Sequence, residues 1–196
     1  RQSRVGKTDM QMMTEVTSQW MQHMISKKFP PLSPHHTQAF TVMMMARFYG
    51  EYLQPLLSDP KKKKGKLQLK AFVAQLATGE GKSIVIAMIA IFMVKLYNMR
   101  VHVLENNEGL LERDYAVNEP FYARFGIKSG KDLADEESMI CYTLKSGINR
   151  HFLRRMVMGK LDEDLKKTVL VVDEVDDLIV NERPNNHYVK ADCEKT

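Results

Sequence analysis

A short loop rich in glycine carries the residues whose chemistry is easiest to infer. The run Thr78-Gly79-Glu80-Gly81-Lys82-Ser83 lies between a predicted strand at residues 71–76 and a predicted buried helix at residues 84–97. Polyphosphates need backbone N–H groups close to their oxygens, and Gly79 and Gly81 leave that approach free of side chains. Lys82 would then reach the β- and γ-phosphates, and the Ser83 hydroxyl would ligate Mg²⁺. The spacing predicts a nucleotide-binding loop, to which Thr78, Gly79, Glu80, Gly81, Lys82 and Ser83 contribute.

A pair of acids later in the chain favours the same chemistry. Asp173 and Glu174 directly follow residues 169–172, three β-branched valines and Leu170, which predict a strand. Ligands of open α/β sheets bind at the carboxyl ends of the strands. We expect Asp173 to hold the hydration shell of Mg²⁺ and Glu174 to act in catalysis by orienting or deprotonating the attacking water. Lys82 is the second expected catalytic residue, through its contact with the phosphates. An ordinary glycine turn and a solvated acidic turn are the alternatives, but they do not explain why both motifs fall at predicted strand ends.

The elements that must position these residues alternate between strands and helices. Strands are predicted at residues 71–76, 100–105, 138–143 and 168–174. Helices are predicted at residues 84–97, at 110–125 with a break near Pro120, and around 148–160. This order predicts an α/β fold with a parallel sheet covered by helices on both faces.

Two further helices are predicted before the loop. Thr8 and Gln11 have the spacing of a capping box, and the proline-containing segment after Phe29 should end this amphipathic helix. Ser33 followed by Pro34 predicts the start of the second helix, and Gly50 its end.

Composition excludes several classes of protein. The 196 residues are 44% hydrophobic and 27% charged, which excludes wholesale disorder. Two cysteines cannot form a disulfide framework or a four-cysteine zinc site. The apolar run at residues 84–94 is shorter than the about 20 residues that a membrane-spanning helix needs. Because the chain opens on Arg1, we expect it to be a piece of a longer polypeptide.

The positive charge is concentrated near one segment. Residues 1–70 hold 12 Lys and Arg against 4 Asp and Glu, and five of these cations lie within residues 61–66. Packing them would bury like charges together, so a solvated surface insertion at about 51–67 is predicted. The sharper hypothesis is that Lys61, Lys62, Lys63 and Lys64 contact acidic lipid headgroups, nucleic acid or an acidic protein.

The motifs together resemble the N-terminal RecA-like half of the SecA family, the ATPase motors of bacterial protein export. TGEGKS is similar to that family's TGEGKT, and DEVDD at residues 173–177 to its DEVDS. Residues 107–127 resemble the family stretch NDYLAxRDAExNxPLFEFLGL, with matches at Asn107, Leu110, Arg113, Asp114, Asn118, Pro120 and Gly126.

This resemblance runs from about residue 32 to 182 and implies a RecA-like P-loop NTPase, a three-layer sandwich with a mainly parallel sheet, preceded by an N-terminal helical segment. It divides the chain into a helix and linker at 1–31, an ATP-binding domain at 32–184 and a polar tail at 185–196. SPHHTQAF is similar to the family's RPFDVQL, which makes Gln38 the counterpart of the glutamine that recognises adenine. ATP and Mg²⁺ are the implied cofactors.

The implied activity is that of a motor that couples ATP binding and hydrolysis to movement or remodelling of polypeptide. A second RecA-like domain of the parent chain would complete the site, so we expect this segment alone to bind ATP with little turnover. The implied location is cytoplasmic, at the periphery of a membrane or within a larger assembly.

Two other functions remain as alternatives. One is a degenerate nucleotide-binding domain that serves as a scaffold in a larger assembly. The other is half of a nucleic-acid helicase, and specific nucleic-acid binding is disfavoured because four acids after the second strand are expected to face only Arg113 and to repel phosphates. These acids are Glu105, Glu108, Glu112 and Asp114.

The remaining candidate residues are predicted to be structural. Cys141 lies within a predicted strand and should be a small core residue. His102 and His151 are predicted to be isolated from one another, so no metal site is expected there.

Overall fold

A computed structural model describes residues 8–53, 71–77, 79 and 81–176. The N-terminal helices are α1 (Asp9–Ser26) and α2 (His36–Phe48), which continues into a π-helical turn (Tyr49–Leu53). The α/β part follows, with elements α3 (Lys82–Tyr97), β1 (Arg100–Glu105), α4 (Glu108–Ala123), β2 (Ser129–Gly130), β3 (Ile140–Leu144), α5 (Lys145–Val157), α6 (Leu161–Lys167) and β4 (Thr168–Val172).

The four strands form one parallel sheet in the order β2-β3-β1-β4. Successive side chains of a strand point to opposite faces, and in β1 Val101 and Val103 join the main core with α3 and α4. His102, between them, meets His151 of α5 on the other face. Helices therefore cover both faces of the sheet, and the predicted α/β sandwich is confirmed.

Helix α3 is the centre of the core. Its residues from Val85 to Val94 are all buried, because a helix that is apolar on every side is stable only inside the protein. It packs against α2, β1 and α4. This burial fixes the start of the helix, at Gly81 and Lys82, close to the carboxyl ends of β1 and β4.

The N-terminal helices confirm one predicted boundary and correct three. The capping box of Thr8 and Gln11 is present, with bonds of 2.9 and 3.2 Å. Helix α1 ends at Ser26, ahead of Phe29, and α2 begins after His35 instead of after Ser33. Gly50 does not stop the second helix, which continues as the π-helical turn.

The role of Gly50 is to allow a close approach. A Cβ atom at Gly50 would lie 2.6 Å from the hydroxyl of Tyr97. That hydroxyl donates a hydrogen bond to the carbonyl of Ala46 at 3.1 Å. The glycine therefore lets α3 pack against the end of α2.

The α/β part also departs from prediction at several points. Residues 71–76 form no strand, and Val73 is 73% exposed. The short strand β2 was not predicted, and α4 passes through Pro120 without a break. The helix predicted around 148–160 is two helices, α5 and α6, because Gly159 adopts a left-handed φ of 68° that ends the first.

Some predictions fall outside the described residues. They concern most of the lysine-rich insertion, with Lys61, Lys62, Lys63 and Lys64, the loop residues Thr78 and Glu80, and the tail at 185–196. Within the described ranges, none of the helices combines the length and apolarity needed to cross a membrane.

Candidate functional site

Lys82 and the acid pair meet at one edge of the sheet. The Nζ atom of Lys82 lies 3.9 Å from Oδ1 of Asp173 and 3.7 Å from Oε1 of Glu174. Lys82 is the first residue of α3, while both acids follow the last residue of β4. Two motifs that are distant in sequence are therefore adjacent, as a shared site requires.

The loop backbone departs from ordinary helix geometry at two glycines. Gly79 and Gly81 have φ values of 87° and 72°, a region that side chains disfavour. A Cβ at Gly81 would also lie 2.4 Å from Nε2 of Gln38, whereas a Cβ at Gly79 would meet nothing described within 4 Å. Gly81 is thus required by close packing, whereas a side chain at Gly79 would meet none of the described residues.

Gln38 lies directly behind the loop. Its side-chain amide donates to the carbonyl of Gly81 at 3.4 Å and accepts from the backbone N–H of His35 at 2.8 Å. Gln38 is buried, so in this arrangement it supports the loop backbone. A nucleotide base could use the amide only after these bonds rearrange, and adenine recognition by Gln38 stays a prediction.

The hydroxyl of Ser83 is oriented by Asp114, an acid for which no role at the site was predicted from the sequence. That hydroxyl donates to Oδ2 of Asp114 at 3.2 Å, and Oδ1 of Asp114 accepts from Nε of Arg113 at 2.7 Å. Asp114 is buried in α4, so this contact holds the hydroxyl near the start of α3. The match of Asp114 to the family stretch was the available signal.

Glu105 is a second acid whose role was missed. It ends β1 with 2% of its surface exposed, and its Oε2 atom finds no hydrogen-bond partner among the described residues. Burial, followed by repulsion from Asp114 and Asp173, raises the pKa of Glu105 to about 7. Burial also raises the pKa of Asp173, and the charge of Lys82 opposes that shift.

Glu174 has an unusual backbone and a polar partner. Its φ is 51°, in the left-handed region that few side chains other than Asn and Asp adopt. Its Oε2 atom accepts a hydrogen bond from Nδ2 of Asn106 at 3.1 Å. Asn106 follows β1, so the carboxyl ends of β1 and β4 together orient this carboxylate.

The prediction of an acidic surface after the second strand is wrong for two of its four acids. Glu105 and Asp114 are buried at the site instead of facing solvent. Glu112 is exposed, but its carboxylate is paired, since Oε1 accepts a hydrogen bond from Nζ of Lys131 at 2.7 Å. The prediction failed because it assumed one solvent-facing surface, whereas β1 and α4 turn these two acids inward.

The two histidines predicted to be isolated are neighbours. The rings of His102 and His151 lie 5.8 Å apart and perpendicular, because α5 crosses β1 on that face of the sheet. Burial, then the charge of His151, lowers the pKa of His102 to about 4. Cys141 is buried, and its prediction as a core residue is confirmed.

The site contains more acids than bases. Four carboxylates gather around Lys82 and Arg113, namely those of Glu105, Asp114, Asp173 and Glu174. In the part of the chain that the structure describes, no group of three or more His, Cys, Asp and Glu is arranged to hold a metal ion. Mg²⁺ keeps several waters and commonly binds through one or two protein oxygens plus phosphate, and Ser83 and Asp173 fit that mode.

Comparison with known proteins identifies relatives of this region. The SecA DEAD-like domain model matches residues 63–186. The protein translocase subunit SecA of Chromobacterium violaceum is 29% identical over 121 residues, which are 56% of this chain and 13% of that protein. The SecA subunits of Neisseria meningitidis and Neisseria gonorrhoeae are 31% identical over 121 residues, again 56% of this chain and 13% of each relative.

The chain thus spans about 13% of the length of these curated relatives. No solved structure matches it. The family model covers more than half of the chain and includes both the glycine loop and the acid pair, and the chain belongs to the SecA DEAD-like domain family.

Proposed function

We propose that this domain binds ATP with Mg²⁺ between the glycine loop and the acid pair. The observation that carries the proposal is the position of Lys82, whose Nζ lies within 4 Å of both Asp173 and Glu174. The side chain of Lys82 is 35% exposed, so a phosphate can reach it from solvent. The family membership supports the same function.

Each residue has a role that follows from its place. Backbone N–H groups of the loop would bind the phosphates at the N-terminus of α3. The sequence motif assigns Thr78 and Glu80 to the same loop. Lys82 exchanges its carboxylate contacts for phosphate oxygens. Ser83 and Asp173 hold Mg²⁺, which when bound neutralises charge on the phosphates.

Glu174 is placed to act on water. Asn106 fixes one oxygen of its carboxylate, and Lys82 lies beside the other. Once Lys82 turns to a phosphate, that second oxygen is available to orient or deprotonate a water molecule.

For the parent protein we propose a motor that moves or remodels polypeptide. Its relatives are named protein translocase subunits, and they are about eight times longer than the matched region. We propose that residues 32–184 form the ATP-binding domain and that a second RecA-like domain completes the site. A peripheral position at a membrane, with Lys61 to Lys64 on acidic lipid or protein, belongs to the same proposal.

Substitution of Lys82 tests the nucleotide site. In Mg²⁺, a fluorescent ATP analogue should bind the unaltered chain, and Lys82→Ala should weaken binding by about 10- to 100-fold, since charged hydrogen bonds contribute about 1.5–3 kcal/mol. Lys95→Ala is the matched control, because it removes an exposed lysine from the same helix. Equal affinity in all three proteins would refute the site.

A scaffold that does not use nucleotide is the second candidate. The observation that favours it is that Lys82, Ser83 and Gln38 are all engaged by groups of the protein itself. The activity of the assembled parent protein distinguishes the two functions. A scaffold with Lys82→Ala assembles and works unchanged, whereas a motor with this substitution assembles but loses activity.

A further inference from the structure

Arg113 is the second cation of the candidate site, and a buried acid holds its side chain in a defined position. Its Nε atom donates to Oδ1 of Asp114 at 2.7 Å, while the hydroxyl of Ser83 donates to Oδ2 of the same carboxylate at 3.2 Å. Asp114 is 4% exposed, so its carboxylate cannot turn to solvent without losing both partners. One buried acid therefore orients an arginine of α4 and a hydroxyl of α3.

The sequence of α4 explains this geometry. The buried face of the helix includes Leu111, Asp114 and Asn118, which recur at the spacing i, i+3 and i+7. Arg113 precedes Asp114 and is rotated by about 100° from it, so its side chain leaves the packed face and is 60% exposed. The side chain of Arg113 is thus anchored at Nε, while much of its surface is open to solvent.

The guanidinium lies among the acids of the site. Its bond to Asp114 and, more weakly, the charges of Glu105 and Asp173 raise the pKa of Arg113. Lys82 lies on the other side of this cluster, with Nζ 3.9 Å from Oδ1 of Asp173. Among the described residues, only Asp114 accepts a hydrogen bond from Arg113, and it does so from Nε. The two terminal amino groups of the guanidinium are therefore available to another anion.

We propose that Arg113 contacts the terminal phosphate of ATP in this site and that Asp114 is the positioning residue that holds Arg113 and Ser83. The inference rests on the proposed function, in which Ser83 and Asp173 hold Mg²⁺. In metal-nucleotide sites the metal bridges the β- and γ-phosphates, so a cation close to both metal ligands faces those oxygens. A guanidinium anchored through Nε can present both amino groups to one phosphate.

A second cation beside the phosphates also suits the charge of the site. The four carboxylates described above outnumber the cations Lys82 and Arg113. A triphosphate carries more negative charge than one Mg²⁺ offsets, so an ATP complex that used Lys82 alone would crowd like charges further. Contact with Arg113 reduces this repulsion. The consequence is a preference for ATP over ADP, because ADP lacks the phosphate that Arg113 contacts.

Arg113→Gln separates the contact with phosphate from the contact with Asp114. The amide nitrogen of glutamine stands as far along the side chain as Nε of arginine, so it can still donate to Asp114, whereas the charge and the terminal amino groups are lost. In calorimetric titrations with Mg²⁺, ATP binding should weaken by about 10- to 100-fold. ADP binding should change by less than about fivefold, the effect of an exposed charge without direct contact. Arg154→Gln is the matched control, because it removes an exposed arginine near the far end of α5.

A second variant tests the positioning role of Asp114. In Asp114→Asn one carboxylate oxygen becomes an amino group that cannot accept from Ser83 or Arg113, so the preference for ATP should fall although Arg113 is unchanged. Adding Arg113→Gln should then lower the preference much less than it does in the unaltered chain, because residues that act together are not additive. A merely structural Asp114 would lower the unfolding free energy without changing the ratio of ATP and ADP affinities. Far-UV circular dichroism verifies that each variant is folded.

The outcomes separate this inference from the function on which it rests. If the unaltered chain binds no ATP, or binds it independently of Lys82, the nucleotide site is refuted together with the contact of Arg113. If ATP binding depends on Lys82 but Arg113→Gln weakens ATP and ADP equally, or weakens neither, the phosphate contact alone is overturned. Fully additive effects of Arg113→Gln and Asp114→Asn would overturn the positioning role. A loss of ATP affinity that spares ADP and is absent from Arg154→Gln supports the inference.

Discussion

The pKa of Glu105 shows how strongly burial and neighbouring charges affect a single residue of this site. Its carboxyl group is buried at the end of β1 beside Asp114 and Asp173, and one of its oxygens lacks a described partner. An ionised carboxylate in that position destabilises the fold, because neither solvation nor a nearby ion pair compensates it fully. The shift of its pKa to about 7 expresses this cost.

Stability should therefore fall as the pH rises through the range in which Glu105 ionises. The folded chain holds the proton up to about pH 7, whereas the unfolded chain releases it near pH 4.5. The unfolding free energy thus decreases between these values, by at most about 3 kcal/mol from this group. Glu105→Gln should be about 1–3 kcal/mol more stable than the unaltered chain at pH 8.

Urea unfolding at pH 4 and pH 8 measures this difference. At pH 4 both proteins carry a neutral group at position 105 and should have similar stability, which serves as the internal control. Other titrating groups are common to both proteins and cancel in the comparison. A Glu105→Gln variant that is less stable at pH 8 would contradict the buried, repelled carboxylate.

At the scale of elements, α1 is an integral layer of the fold. The ring of Trp20 packs edge-on against Phe121 of α4 at 5.2 Å. Arg124 donates to the side chains of Gln19 and Gln22 at 2.9 and 2.6 Å. Because Phe121 is fully buried, removing α1 would expose part of the main core.

Two methionines at the start of α1 test this packing. Met12 is 2% exposed and Met10 is 67% exposed. Met12→Ala should lower the unfolding free energy by about 2–5 kcal/mol, since it creates a cavity in the core. Met10→Ala should change it by less than about 0.5 kcal/mol. Equal effects in thermal or urea unfolding would show that α1 is not packed as described.

Some elements could be predicted from the sequence, and others could not. Strand β1 and helix α3 were predicted within two residues. Polar and apolar residues alternate over most of β1, as in a strand, and the apolar run of α3 is long enough for a helix. The mostly apolar run at 71–76 forms no strand, since strand formation needs a partner that composition does not specify. Strand β2 has two residues and leaves no periodic signal.

The candidate site, too, could be predicted from the sequence only in part. Asp173 and Glu174 could be placed at the site because ligands bind at the carboxyl ends of parallel strands. Lys82 was placed there from its loop motif, although the strand expected before that loop does not form. Glu105 and Asp114 were assigned to a surface, since sequence does not show which side of β1 or α4 faces inward. His102 and His151 were separated for the same reason, as their contact depends on how α5 crosses the sheet.

At the scale of the whole molecule, the chain corresponds to a small part of its relatives, about 13% of their length. In the proposed function, an arginine from a second domain would complete the γ-phosphate site, and arginines in that role contribute about 10³–10⁵ in rate in other NTPases. We expect this chain to bind ATP but to hydrolyse it at least a thousandfold more slowly than the parent protein. A phosphate-release assay on both proteins measures this, and equal rates would contradict the need for a second domain.

The most direct test of the shared site is an ATP titration by calorimetry with Mg²⁺ and with a chelator in its place, for the unaltered chain and for Asp173→Asn. If the glycine loop and the acid pair hold one metal-nucleotide complex, Mg²⁺ should tighten binding to the unaltered chain at least tenfold. Asp173→Asn should lose most of that gain while retaining the weaker, metal-free binding. An identical Mg²⁺ effect in both proteins, or no binding of ATP to either, would contradict the account.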